Sequence, residues 1–70
     1  MQKSEIVTMF DFLDNVRVRG FTNMFGASPV LGEAFDLEPR KARKVLITWM
    51  NTYSDTKTID QRAQDATEFL

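Results

Sequence analysis

Apolar residues recur at Ile6, Met9, Phe10, Leu13 and Val16, three or four positions apart, the spacing of one face of an α-helix. Phe12 falls on the edge of that face, and Asp11, Asp14 and Asn15 fall outside it. Ser4 can cap the start with its side-chain oxygen, and Glu5 suits the positive end of the helix dipole. Arg17 and Arg19 sit where cations are favoured, and Gly20 can take the left-handed conformation that ends helices. The pattern predicts a first helix from Ser4 to Arg19.

The next segment, Phe21 to Ala27, has neither a helical nor a strand period. Phe21, Met24 and Phe25 are expected to anchor a buried connection, with Asn23 capping one short turn. Ser28 followed by Pro29 then reads as a helix start, because Ser can bond unpaired amides and Pro fits the first turn. A short second helix runs through Val30, Leu31, Ala34 and Phe35. Gly32 lowers its helix propensity by about 1 kcal/mol relative to Ala, which suggests a neighbouring helix crossing closely. Asp36 and Leu37 break the pattern, and Pro39 fits only the first turn of the next element.

The strongest periodicity belongs to a third helix, in which Ala42, Val45, Leu46, Trp49, Met50 and Tyr53 fall on one face. Asn51 to Lys57 is polar and rich in Thr and Ser, so it reads as a loop. Thr58 with Gln61 three residues on matches the capping box of a fourth helix. The apolar positions of that helix, Ile59, Ala63, Ala66 and Phe69 or Leu70, form a narrow, Ala-rich stripe that docks weakly or meets another chain. No run alternates as a strand should. The expected fold is all-α, a small domain of three to four helices. Residues 1–53 form the helical core, and residues 54–70 are a linker and a C-terminal helix packing on that core or on a second subunit.

Helices 2 and 3 also match the scheme of a helix-turn-helix-like unit. Leu31 and Phe35 supply inner positions, Gly32 the small contact, Asp36 the turn, Leu37 the apolar plug, and Ala42 with Val45 the inner face of the second helix. Gly is usual at such a turn, and Asp is a tolerated substitute for positive φ. Any compact helix pair in a three-helix domain yields a similar pattern.

Composition narrows the chemistry. The chain has 70 residues, 43% of them hydrophobic and 27% charged, which suits one small folded domain. At this length only about 60% of the unfolded surface is buried, so the core is thin. Cys and His are both absent, which removes disulfides, thiolate chemistry, the commonest general base and the commonest zinc ligands. Asp11 with Asp14 and Glu33 with Asp36 are carboxylate pairs three residues apart, best explained as solvated helix faces. Thr48, Thr52, Ser54 and Tyr53 have no base to activate them. The expectation is a protein with no catalysis, no metal and no cofactor. No apolar run approaches the roughly 18 residues of a membrane span, and Met-Gln-Lys-Ser opens no signal peptide, so an intracellular protein without a membrane partner is expected.

Charge is unevenly distributed. The net charge is −1, yet Arg40, Lys41, Arg43 and Lys44 are four of the nine cations. Set against Glu38, they leave the segment from Glu38 to Tyr53 at +3 and the rest of the chain at −4. On a helical wheel Arg40, Lys44, Ile47 and Asn51 lie opposite the apolar face, flanked by Lys41 and Arg43. Such a basic stripe can follow a phosphate backbone. Cations at a helix N-terminus oppose the macrodipole by a few tenths of a kcal/mol each, a cost that local stability does not explain. The alternative is that Asp36, Glu38 and acidic residues elsewhere neutralise them in ordinary surface pairs. Ile47 fits either a thymine methyl or a protein partner. Val7 and Val18, also off the core face, allow a subunit or partner contact on helix 1.

The stretch from Gly20 to Met50 resembles a group of short, uncharacterised proteins of tailed bacteriophages. The features that carry the resemblance are Arg17, Val18, Arg19 and Gly20 at the end of helix 1, the Asn-Met-Phe-Gly-Ala run from Asn23 to Ala27, Pro29, Leu37, and the Trp49–Met50 pair. The resemblance implies a phage origin and a location in the host cytoplasm, and it carries over no site residue. The tail from Thr52 to Leu70 lies beyond that pattern and is a place for a partner or oligomer contact. The sequence thus leads to a non-catalytic regulatory protein that binds nucleic acid, DNA in particular, through Arg40, Lys41, Arg43, Lys44, Ile47 and Asn51, with a homodimer as one arrangement. The alternative is a host-takeover or anti-defence factor that binds and inhibits a bacterial protein.

Overall fold

The computed structural model describes residues 1–20 and 23–70, and among these the chain forms four α-helices, one 3-10 turn and no strand. The expectation for Phe21 and Thr22 lies outside the described residues. Helix α1 spans Lys3–Val18 and buries Ile6, Met9, Phe10 and Leu13. It starts ahead of Ser4. Gln2 is the cap, and the Glu5 carboxylate accepts from the Gln2 backbone N–H at 3.4 Å. Ser4 instead lies inside the first turn, where its carbonyl accepts from the Thr8 hydroxyl. Gly20 takes a φ of +92°, the left-handed exit expected of it.

The 3-10 turn, Met24–Ala27, begins where the Asn23 side chain accepts from the Phe25 N–H at 3.1 Å, as its sequence suggests. Only part of it reaches the core. Ala27 is buried and Met24 packs against the core, but Phe25 is 71% exposed, so it is not the buried anchor expected. In a turn of four residues the side chains diverge, so with Met24 and Ala27 turned to the core Phe25 is left outside.

Helix α2, Ser28–Phe35, is capped by Ala27, so Ser28 is its first residue and makes no capping bond. Its fully buried side chain is Leu31, and Phe35 meets Phe12 of α1 edge to face, with centroids 5.5 Å apart. Asp36 ends it in the left-handed conformation, φ 54° and ψ 51°, and the Leu37 N–H donates to the Gly32 carbonyl at 2.8 Å. A β-carbon on Gly32 would lie 3.2 Å from the Leu37 carbonyl oxygen and 3.4 Å from the Ala42 β-carbon, so the close crossing inferred from this glycine is real.

Helix α3, Pro39–Thr52, buries Ala42, Val45, Leu46, Thr48 and Trp49, with Met50 and Tyr53 partly buried at its end. Helix α4, Ile59–Ala66, opens with the capping box read from the sequence: the Gln61 N–H donates to Thr58 Oγ1 at 3.2 Å, and the Thr58 N–H donates to Gln61 Oε1 at 3.1 Å. Its docking is firmer than a narrow alanine stripe suggests. Ala63 and Ala66 are fully buried, α4 packs chiefly on α1 and also on α3, and Leu70 rather than Phe69 covers the core. Small side chains let the helix axes approach closely, so little apolar area still gives a tight contact.

No helix among the described residues is long and apolar enough to cross a membrane.

Candidate nucleic-acid interface

The outer face of α3 is fixed by its inner face. Val45, Leu46 and Trp49 point into the core formed with α1, α2 and α4, which leaves the opposite side of a 14-residue helix turned to water. Arg40, Arg43, Lys44, Ile47 and Asn51 are exposed, Ile47 at 43%, and Lys41 is half-buried on the flank. The six residues singled out from the sequence therefore share one side of one helix.

Among the described residues none of its cations has a carboxylate oxygen within 4.0 Å. Among the described residues the ion pairs are Lys3–Asp60 at 2.9 Å, Lys57–Asp65 at 2.8 Å and Arg62–Asp14 at 3.0 Å, and none of them includes a cation of α3. Asp36 and Glu38, the carboxylates that precede the helix, pair with no cation within 4 Å. The N-cap Glu38 lends no side-chain bond to the first turn either. Further along, Thr48 and Thr52 spend their hydroxyls on the Lys44 and Thr48 carbonyls, at 2.8 Å each, so the flank of the stripe is internally satisfied.

A groove of about 410 Å³ separates α2 from α3 beside the basic face, with Pro29, Gly32 and Glu33 contributed by α2 and Pro39 and Arg43 by α3. At the far end a smaller hollow of about 80 Å³ is lined by Phe69 together with Thr48, Asn51 and Thr52. The C-terminal segment thus reaches the margin of the stripe and leaves Arg40, Lys44 and Asn51 exposed.

The support beneath this face is a polar cluster that periodicity alone does not reveal. Arg62 of α4 is only 4% exposed and grips Asp14 of α1 through both terminal nitrogens, at 3.0 and 3.1 Å. The same carboxylate accepts from the Trp49 indole N–H at 2.8 Å. The Tyr53 ring meets two guanidinium groups, those of Arg17 and Arg62, each 4.7 Å from its centroid, and the Arg17 side chain donates to the Tyr53 hydroxyl at 2.8 Å. Asp14 is therefore engaged in the packing of three helices and is not one of a solvated carboxylate pair. One signal in the sequence points to this: Arg62 occupies the slot between Ile59 and Ala66 where the apolar stripe of α4 requires a residue.

Among the described residues no group of three or more Asp or Glu side chains is arranged to hold a metal ion. No protein-family model, curated protein or solved structure matches this chain.

Proposed function

We propose that this chain is a non-catalytic nucleic-acid-binding protein, in which α2, the turn at Asp36 and α3 act as a helix-turn-helix-like unit and the basic face of α3 is the contact surface. One observation carries the reading. Four cations stand in the first two turns of α3, two of them, Arg40 and Lys41, in the first turn where they oppose the helix dipole, and no carboxylate of the described residues pairs with them. Charges held at a local cost and left unpaired are what an anionic partner requires. Arg40, Arg43 and Lys44 are the phosphate-facing residues, with Lys41 at the flank.

A band-shift titration at two salt concentrations tests it. Binding is expected at low salt and falls as salt rises, with a slope of log K against log salt of about −3 for three phosphate contacts on a duplex. Exchanging Arg40 and Lys44 for Glu abolishes it. Binding absent at low salt, or indifferent to the double exchange, refutes the reading.

A second reading draws on a different observation, the exposed rings of Phe25 and of Phe69, the latter 58% exposed. Such rings suit a protein partner, and capture from a bacterial host lysate that is lost in Phe25→Ser and Phe69→Ser would favour it over nucleic acid. Under either reading the resemblance to short tailed-phage proteins supplies the setting, a small regulator at work in the host cytoplasm. A homodimer would double the basic surface, and the mass in solution tests for it.

A further inference from the structure

Helix α2 is the most apolar of the four helices and the least covered. Of its eight residues only Leu31 is buried, and Pro29, Val30 and Ala34 are exposed. A helix that lies on the surface ordinarily carries charged and polar residues on its outer side, and here Glu33 is the one charge. The Phe25 ring, 71% exposed, stands one turn ahead of Pro29. Single apolar residues scattered over a surface are ordinary, whereas a ring and three aliphatic residues within ten positions form a patch.

Beside this patch runs the groove of about 410 Å³ between α2 and α3, lined by Leu37 and Pro39 and open at Gly32, which lends no side chain to its wall. A phenyl ring fits such a volume, since a cavity of about 150 Å³ takes up benzene. The two walls bear opposite charges, Glu33 on α2 and Arg43 on α3, and no ion pair within 4.0 Å joins them. One face therefore presents a ring and a groove able to take a ring, an unpaired acid and an unpaired base. Holding both halves of each contact is the condition for two copies to meet about a two-fold axis. A partner of different sequence would require only one half of each.

We propose that two copies of this chain associate through this face, with the Phe25 ring of each seated in the α2–α3 groove of the other and Glu33 of each facing Arg43 of the other. The contact is confined to the 3-10 turn, α2 and the start of α3, so the area is at the low end for a specific interface and the dissociation constant is on the order of 10 to 100 μM. It stands apart from the nucleic-acid reading. Arg40 and Lys44 do not line the groove, and Arg43, with five N–H donors, can meet a carboxylate and a phosphate together.

Sedimentation velocity of the full chain, without nucleic acid, tests it from about 1 μM to about 1 mM, a range that brackets that constant. The mass is expected to rise from monomer to dimer. Phe25→Ser weakens the dimer at least about 30-fold, as loss of a central aromatic anchor does. Glu33→Arg and Arg43→Glu each leave the chain monomeric, because like charges then meet across the axis. Mixed in equal amounts, these two variants form a heterodimer, since every charge again faces its opposite. Circular dichroism verifies that each variant, changed only at an exposed position, keeps its helical content. A dimer indifferent to Phe25→Ser, or charge variants that fail to recombine, overturns the proposal. A chain that stays monomeric over the whole range also overturns it and leaves the face to a different protein.

Discussion

Burying a guanidinium costs several kcal/mol unless its charge and its N–H groups are met, and Arg62 meets the cost with a two-pronged grip on Asp14 and with the faces of Tyr53 and Phe10. Its Nε is the one buried side-chain nitrogen or oxygen without a partner among the described residues. Arg62→Met keeps most of the volume and leaves the Asp14 carboxylate without its cation, held by the Trp49 indole N–H alone. The loss is expected to be about 3 kcal/mol in urea unfolding, toward the low end for broken buried pairs because the Asp14 side chain stays 31% exposed. Trp49 separates two contributions at the same point. Trp49→Phe removes the indole donor and costs about 1 kcal/mol, whereas Trp49→Ala also empties a core site and costs about 3 to 5 kcal/mol. A near-neutral Trp49→Ala would contradict its place in the core.

At the level of elements, the α2–α3 hairpin depends on two backbone choices, the absent β-carbon at Gly32 and the left-handed Asp36. Gly32→Val would drive a branched side chain into the Leu37 carbonyl and Ala42 and is expected to cost about 1 to 3 kcal/mol, seen as a lower unfolding midpoint. Asp36→Gly acts the other way: it relieves the positive φ and gains roughly 0.5 to 1 kcal/mol. Both features are legible in the sequence because Gly and a turn-forming Asp carry backbone information on their own. So is α3, whose apolar positions repeat over more than three turns. The ends of α1 and α2 are less legible. Ser4 and Ser28 are good caps by type, but in each case the helix begins earlier, and the serine enters its first turn. Phe25 misleads for a related reason: hydrophobicity says a ring gains by burial and says nothing about which way a single 3-10 turn points it. The fourth helix is underestimated because its hold on α1 is an ion pair and close-packed alanines, neither of which apolar periodicity registers.

For the molecule as a whole, one face is basic and the remainder acidic, within extents of 25 × 24 × 16 Å. The two sides make opposite demands on the same residues. Arg40→Ala with Lys44→Ala should weaken the proposed nucleic-acid binding steeply while leaving thermal stability unchanged or slightly higher, since neither cation is in an ion pair and Arg40 in the first turn opposes the dipole of α3. Parallel melting and binding curves check this. A matching fall in stability would mean that these cations serve the fold. The location of the face is legible in the sequence because it is the complement of a well-marked apolar face. What lies beneath it, the Asp14, Trp49 and Arg62 junction, requires contacts between residues up to 48 positions apart, which no local pattern encodes.

That junction has a practical consequence. Trp49 is the chain's single tryptophan, and its indole N–H binds a carboxylate on α1 that in turn holds α4. Its fluorescence therefore watches three segments of the polypeptide at once. Emission wavelength should move to the red when the last helix lifts away, so the molecule carries its own optical gauge of how its C-terminal arm is seated.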